Sequence, residues 1–267
     1  MKVKITPIII SSAFGFLVGA IAPLVAFSDR SETQPAQPPE EVSLPSQKLS
    51  QGLLKSHTRL ITVKIFSEQS WGSGIIIERE GKVYTVLTNK HVLRDDVNEY
   101  QIQTADGAIH KASRDGMKLD NYDLAILNFI SAAEYAVATL GDSNSLSEEE
   151  KVVAAGFPFG GDKSNDDGFK FTEGQISLIL EKSLKNGYQV GYTNQIEKGM
   201  SGGPVLNLEG EVVAINGMHA YPLWGQPYIY EDGEQPSPEM VQVMESSSWA
   251  IPINKFLQSA PQFATNK

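Results

Sequence analysis

The sequence has no cysteine. Disulfides, a thiolate nucleophile and cysteine-ligated zinc are therefore excluded. Histidine is scarce: His57, His91, His110 and His219 are the only four, and no two stand four apart as a helical zinc pair would. The string SNDDG at Ser164–Gly168 is too short for a calcium loop. Neither a metal nor a cofactor is expected. Basic residues are outnumbered, with 22 Lys and Arg against 32 Asp and Glu, for a net charge of −10. That balance speaks against nucleic acid as a partner, because such binding needs a basic face. Helical periodicity is also rare. It is confined to SPEMVQVMES (Ser237–Ser246) and a short terminal NKFLQSA (Asn254–Ala260), where Asn254 is placed to cap the helix.

One long hydrophobic run is present. Behind the two lysines of MKVK, Ile5 to Phe27 carries no charged residue. About 20 apolar residues cross a bilayer, and flanking lysines stay on the cytoplasmic side. Residues 1–27 are expected to be a membrane anchor or signal segment, with an uncleaved anchor favoured. The rest of the chain would then lie on the exported side of a bacterial membrane. Residues 28–51, SDRSETQPAQPPEEVSLPSQKLSQ, are rich in Pro, Gln, Ser and Glu without periodicity and read as a solvated linker. The folded domain is expected over 52–260.

Within it, short β-rich segments alternate with glycine or Asp/Asn turns. RLITVKIF (from Arg59), GSGIIIERE, KVYTVLTN, EYQIQTADGAIHKA, DLAILNF, KVVAAGFP, QISLIL, YQVGYTNQ, GPVLN and EVVAING each read as a strand or hairpin arm. The Asp-Gly of TADGA marks a tight hairpin. Many short strands with few helices point to an all-β sandwich or barrel.

The stretch KGMSGGPVLN (Lys198–Asn207) places Ser201 among glycines ahead of an apolar run. A nucleophilic serine needs a base, an orienter for that base and donors for an oxyanion. Among the histidines, His91 alone ends a strong strand, VYTVLTNKHVL, as a base presented at a cleft would. The orienting acid should stand in apolar surroundings. Asp123 does, at the head of DLAILNF, whereas Asp120 lies in a polar turn.

TNKHVL, DLAIL and GMSGGPVLN, in that order, resemble the three catalytic motifs of trypsin-like serine proteases of the chymotrypsin fold. The likeness is closer to bacterial HtrA-type (Deg) protease domains. AGFPFG, FTEGQIS, LNLEGEVVAING and SSSWAIPINKFL are similar to the intervening and closing segments, so the likeness runs from Arg59 to about Ser259. The resemblance implies two antiparallel six-stranded β-barrels with a short C-terminal helix and an active site in the cleft between the barrels. It implies a serine endopeptidase that cleaves exported or misfolded proteins through an acyl-enzyme. Ser201 would be the nucleophile, His91 the base and Asp123 the orienter, with the N–H groups of Gly199 and Ser201 as the oxyanion hole. Gln195, Ile196, Asn216, Gly217 and Met218 would line the specificity pocket, with Gln195 standing where a trypsin-like floor aspartate would be.

Two departures stand out. Met200 occupies the place of an aspartate or asparagine before the serine, and no PDZ-like domain follows, so no PDZ-mediated partner is expected. The rival reading is a catalytically silent, protease-like peptide-binding module. A serine esterase fits less well, since its order of serine, acid and histidine and its βαβ pattern are missing.

Overall fold

A computed structural model describes residues 48–68, 71–94, 99–160, 168–221 and 228–266. The segment Ile5–Phe27, the SNDDG string up to Asp167 and nearly all of the linker lie outside these residues. Among the described residues no helix is long and apolar enough to cross a membrane.

Among the described residues the first element is a helix, α1 (Gln51–Ile61), where an extended arm beginning at Arg59 was expected. Its buried side holds Leu54, Thr58 and Ile61, at helical spacing. The middle member is polar, and that hides the periodicity. Thr58 satisfies its hydroxyl within the helix by donating to the Leu54 carbonyl at 2.6 Å. The expected strand then begins at Thr62.

Six strands close the first barrel: β1 (Thr62–Phe66), β2 (Trp71–Glu80), β3 (Val83–Thr88), β4 (Tyr100–Gln103), β5 (Ile109–Arg114) and β6 (Ala125–Ile130), in the order β1-β2-β3-β6-β5-β4. Six more close the second: β7 (Lys151–Gly156), β8 (Lys170–Ile179), β9 (Val190–Tyr192), β10 (Pro204–Leu206), β11 (Val212–Met218) and β12 (Ser248–Pro252), in the order β10-β11-β12-β9-β8-β7. All pairings within the barrels are antiparallel. Closure removes the unpaired edges of an open sheet. Register shifts in β2, β8, β10 and β11 supply the bends that closure needs. The architecture is the expected double barrel.

Each barrel has its own core, with Val63, Ile65, Val86 and Leu127 in the first and Val152, Ile176, Met200 and Val213 in the second. A third and larger cluster draws on both, joining Ile75, Leu87 and Ile126 to Val153, Leu206 and Ile215. Burying each such side chain contributes roughly 1.5–3 kcal/mol, so the barrels are docked rather than merely tethered. Helix α2 (Pro238–Glu245) forms within the periodic stretch Ser237–Ser246, and the Ser237 hydroxyl caps it by accepting the Met240 N–H. Helix α3 (Ile253–Ser259) starts one residue earlier than expected. Asn254 therefore lies inside it and bonds the Asp142 carboxylate at 2.6 Å instead of capping.

In the acidic segment between Ala220 and Ser247, the described residues keep Glu231, Asp232, Glu234 and Glu239 exposed while apolar side chains anchor the segment. Tyr228, Val241 and Met244 are buried, and Asp232 and Glu234 both pair with Lys182.

Candidate active site

β3 ends at Thr88, and a single 3-10 turn, Lys90–Val92, delivers His91 to the rim of a cavity of about 1130 Å³ between the barrels. Asp123 stands just ahead of β6, the neighbour of β3 in the first barrel. The strand pairing thus brings two residues far apart in sequence into contact. The His91 backbone N–H donates to Asp123 Oδ1 at 2.8 Å, and His91 Nδ1 lies 2.5 Å from Oδ2. A carboxylate there accepts, so Nδ1 is the protonated nitrogen and Nε2 is left as the basic one. The Asp123 side chain is 10% exposed and the His91 ring 48%, as suits an orienter sheltered from water and a base that meets substrate. Asn89 donates to the Asp123 carbonyl at 2.9 Å and fixes the backbone of the acid. Asp120, the other candidate acid, is exposed and bonded to the Ser259 hydroxyl.

Ser201 comes from the second barrel, in the turn between β9 and β10, and lines the same cavity. Its hydroxyl donates to the Gly217 carbonyl at 3.1 Å rather than to His91. The turn that carries it is tightly bonded. The Lys198 carbonyl accepts from Phe159 N–H at 2.8 Å, and the Gly199 carbonyl from the Ser73 hydroxyl at 2.8 Å. Gly203 N–H donates to the Met200 carbonyl at 3.1 Å, and Ser73 N–H to that of Ser201 at 2.9 Å. In a trans peptide the N–H points opposite to the C=O. With the Lys198 and Met200 carbonyls turned into these bonds, the N–H groups of Gly199 and Ser201 face the other way, and among the described residues neither has an acceptor. Two unpaired backbone donors in the turn that carries the hydroxyl suit an oxyanion.

Gly199 is required by this geometry. Its φ is +101°, and a Cβ there would come within 2.6 Å of the Phe157 carbonyl oxygen. Met200 is wholly buried, and its sulfur accepts the Glu197 N–H at 3.4 Å. The place before the serine is thus filled by core packing.

Of the residues expected around the specificity pocket, Ile196, Gly217 and Met218 line the cavity. Gln195 is exposed and does not. Asn216 is fully buried and turned into the barrel, where it accepts from Tyr192 Oη at 2.7 Å and donates to the Ala155 carbonyl at 2.9 Å. A register shift at Gly217 re-aims the strand from there on. Of the remaining histidines, His57 bonds the Gly210 carbonyl, His110 lies by Tyr135 Oη, and His219 lines the cavity while bonding the Ala220 carbonyl. Tyr188, to which no role was assigned from sequence, is buried against Asp123, with its hydroxyl 2.5 Å from Oδ2. The Asn-Gly pair just ahead of it signals a turn, but no motif marks the phenol itself.

Comparison with known proteins bears on the family and the fold. Residues 72–215 match the family model of the trypsin-like peptidase domain. A probable periplasmic serine endoprotease, DegP-like, of Pseudomonas fluorescens is 39% identical over 151 residues, which is 55% of this chain and 29% of that one. A serine protease Do-like HtrA of Bacillus subtilis is 33% identical over 161 residues, 57% of this chain and 34% of that one. The chain thus spans about a third of the length of the curated relatives it matches. Among solved structures, an HtrA-type protease AlgW with tripeptide superposes with a TM-score of 0.59 at 23% identity, covering 79% of this chain and 62% of that one. At that identity the likeness is one of fold.

Proposed function

The chain belongs to the trypsin-like peptidase domain family, and from that premise we propose that it is a serine endopeptidase working through His91, Asp123 and Ser201. In this reading the Ser201 hydroxyl turns about its Cα–Cβ bond, leaving the Gly217 carbonyl for His91 Nε2 as substrate arrives. Hydroxyl–base contacts of this kind often tighten only in the bound state. Ser201 Oγ attacks the scissile carbonyl while His91 takes its proton, and Asp123 keeps the imidazolium aligned. The carbonyl oxygen gains negative charge and is met by the N–H groups of Gly199 and Ser201. His91 then protonates the leaving amine, and water repeats the sequence on the acyl-enzyme. The observation that carries this reading is that the hydrogen-bonded Asp123–His91 pair and Ser201 line one cavity, with two unpaired backbone donors in the turn that bears the serine.

Ile196 and Met218 give the cavity apolar walls beside Ser201. The substrates in this reading are polypeptides, exported or misfolded proteins; the word periplasmic in the relatives' names supports the exported source. The same names favour action on the exported side of a bacterial membrane, with Ile5–Phe27 as anchor or signal.

The silent peptide-binding alternative rests on one contact, the Ser201–Gly217 hydrogen bond. Hydrolysis of casein and of a p-nitrophenyl ester, by parent and by Ser201→Ala, separates the readings. The proposal expects casein cleavage that vanishes in the variant. Equal cleavage by both, or none by the parent, would overturn it. Fractionation checks the location: a full-length form soluble in the cytoplasm would contradict export.

A further inference from the structure

We propose that Tyr188 is a positioning residue of this site, holding the Asp123 carboxylate in register with His91 from the opposite barrel; the inference rests on the peptidase reading above. Asp123 Oδ1 accepts the His91 backbone N–H. Oδ2 receives both His91 Nδ1 and the Tyr188 hydroxyl, each at 2.5 Å. Both carboxylate oxygens are therefore held by donors. Two of these donors come from His91 itself. The third, from Tyr188, is the one that ties the acid to the barrel bearing the nucleophile. Tyr188 is 3% exposed, so water does not compete for either group. Burial and the adjacent Asp123 charge push the phenol well above its usual pKa, and it remains a donor wherever the enzyme is folded.

The backbone around Tyr188 is built to reach this place. Asn186 (φ 64°) and Gly187 (φ +90°) are both left-handed, the pairing a tight Asn-Gly turn demands. The turn is closed by Leu184 N–H to the Tyr188 carbonyl at 2.8 Å and by Gly187 N–H to the Leu184 carbonyl at 3.1 Å. Its tip accepts the Asp123 N–H on the Asn186 carbonyl at 2.9 Å, so backbone and side chain of the acid are both held from across the cleft. The acidic segment after β11 braces the turn from behind. Lys185 N–H donates to the Ile229 carbonyl at 2.8 Å, and Glu231 N–H to that of Ser183 at 3.0 Å.

The ring of Tyr188 also lies beneath Gly217, whose carbonyl receives the Ser201 hydroxyl. A Cβ on Gly217 would stand 2.1 Å from Tyr188 Cε1 and 2.4 Å from its hydroxyl, so glycine is required there. One side chain thus contacts the orienting acid and supports the carbonyl on which the nucleophile rests. As His91 gains its second proton, the negative charge of Asp123 must stay aimed at Nδ1–H. A fixed phenol keeps it so without solvent rearrangement.

Tyr188→Phe in the full-length chain tests this, because it leaves the ring under Gly217 and removes only the hydroxyl. Four quantities are measured: melting temperature, fluorophosphonate titration of active sites, kcat and KM on a peptide substrate, and the low-field proton resonance of His91 Nδ1–H. The expected result is an intact, fully titratable protein whose kcat falls about 10- to 100-fold, the factor for one hydrogen bond to a charged group. KM should be unchanged and the proton resonance displaced. In an Asp123→Ala background the same change should have almost no effect. The proposal is overturned if Tyr188→Phe keeps kcat within twofold and leaves the resonance in place. An equal loss in the Asp123→Ala background, or a loss matched by missing titratable sites and a lower melting temperature, would also overturn it. A parent protein that fails to titrate sinks the peptidase reading instead. The resonance, which needs no turnover, still decides Tyr188.

Discussion

Placing a methyl group on Gly199 should disable the enzyme while leaving it folded. The Cβ of Gly199→Ala would sit 2.6 Å from the Phe157 carbonyl oxygen, 2.7 Å from Phe159 N and 2.9 Å from Trp71 Cδ1. Two of these obstacles are backbone atoms and cannot swing aside. A φ of +101° is in any case barely open to alanine, with strain of about 1–3 kcal/mol. The relief available is rotation of the peptide between Lys198 and Gly199. That breaks the 2.8 Å bond from Phe159 N–H to the Lys198 carbonyl and withdraws the Gly199 N–H from the oxyanion. Loss of one such donor removes about 3–4 kcal/mol of transition-state stabilisation. At about 1.4 kcal/mol per decade this is a 10²- to 10³-fold fall in kcat. The melting temperature should drop by only about 2–4 °C for each kcal/mol of residual strain. Initial rates on a peptide substrate, normalised to the folded fraction by circular dichroism, give the number. A variant within threefold of the parent would refute the assignment of that N–H.

Two other outcomes are expected. Met200→Ala empties a wholly buried position beneath the nucleophile and should lower stability by about 2–5 kcal/mol in urea denaturation; a loss below about 1 kcal/mol would mean that Met200 does not support the turn. Burial raises the phenols of Tyr188, Tyr192 and Tyr228, the last to about 12, so the unfolded chain releases these protons first as pH rises. The stability they contribute is complete below about pH 10 and is lost through the folded value, at about 1.4 kcal/mol per pH unit for each phenol; a urea midpoint that stays level from pH 9 to pH 11.5 would contradict this.

The strands were legible because apolar runs such as VYTVLT and AILNF are punctuated by turn residues, and closure into barrels followed from the resemblance. His91, Asp123 and Ser201 were legible as motifs, since each sits in a string whose neighbours are also constrained by the fold. Helix α1 was not, because its inward face carries a threonine between Leu54 and Ile61 and it follows a polar linker. The pocket lining was read too broadly. Side chains alternate along β11 and around the turn before Ser201, so Asn216 is turned away while Ile196 reaches the cavity. Tyr188 was invisible for another reason. A phenol ahead of a strand has no signature, and its meaning comes only from the fold bringing Asp123 to it.

Ser73, in a strand of the first barrel, contacts the nucleophile turn of the second through both its backbone and its side chain. Its N–H donates to the Ser201 carbonyl and its hydroxyl to that of Gly199, while the same oxygen accepts Phe157 N–H at 2.8 Å. Thr88, two residues before the histidine turn, donates to the Ser73 carbonyl at 2.7 Å. The readiness of the serine is therefore not a property of the barrel that carries it. It operates as a logical conjunction: the reactive turn is in order only when both halves of the molecule are present and docked. A chain severed in the 131–150 connection would yield two fragments, each mute alone. Covalent labelling of Ser201 would then report on their reunion, so that a single chemical signal reads the completeness of the whole fold.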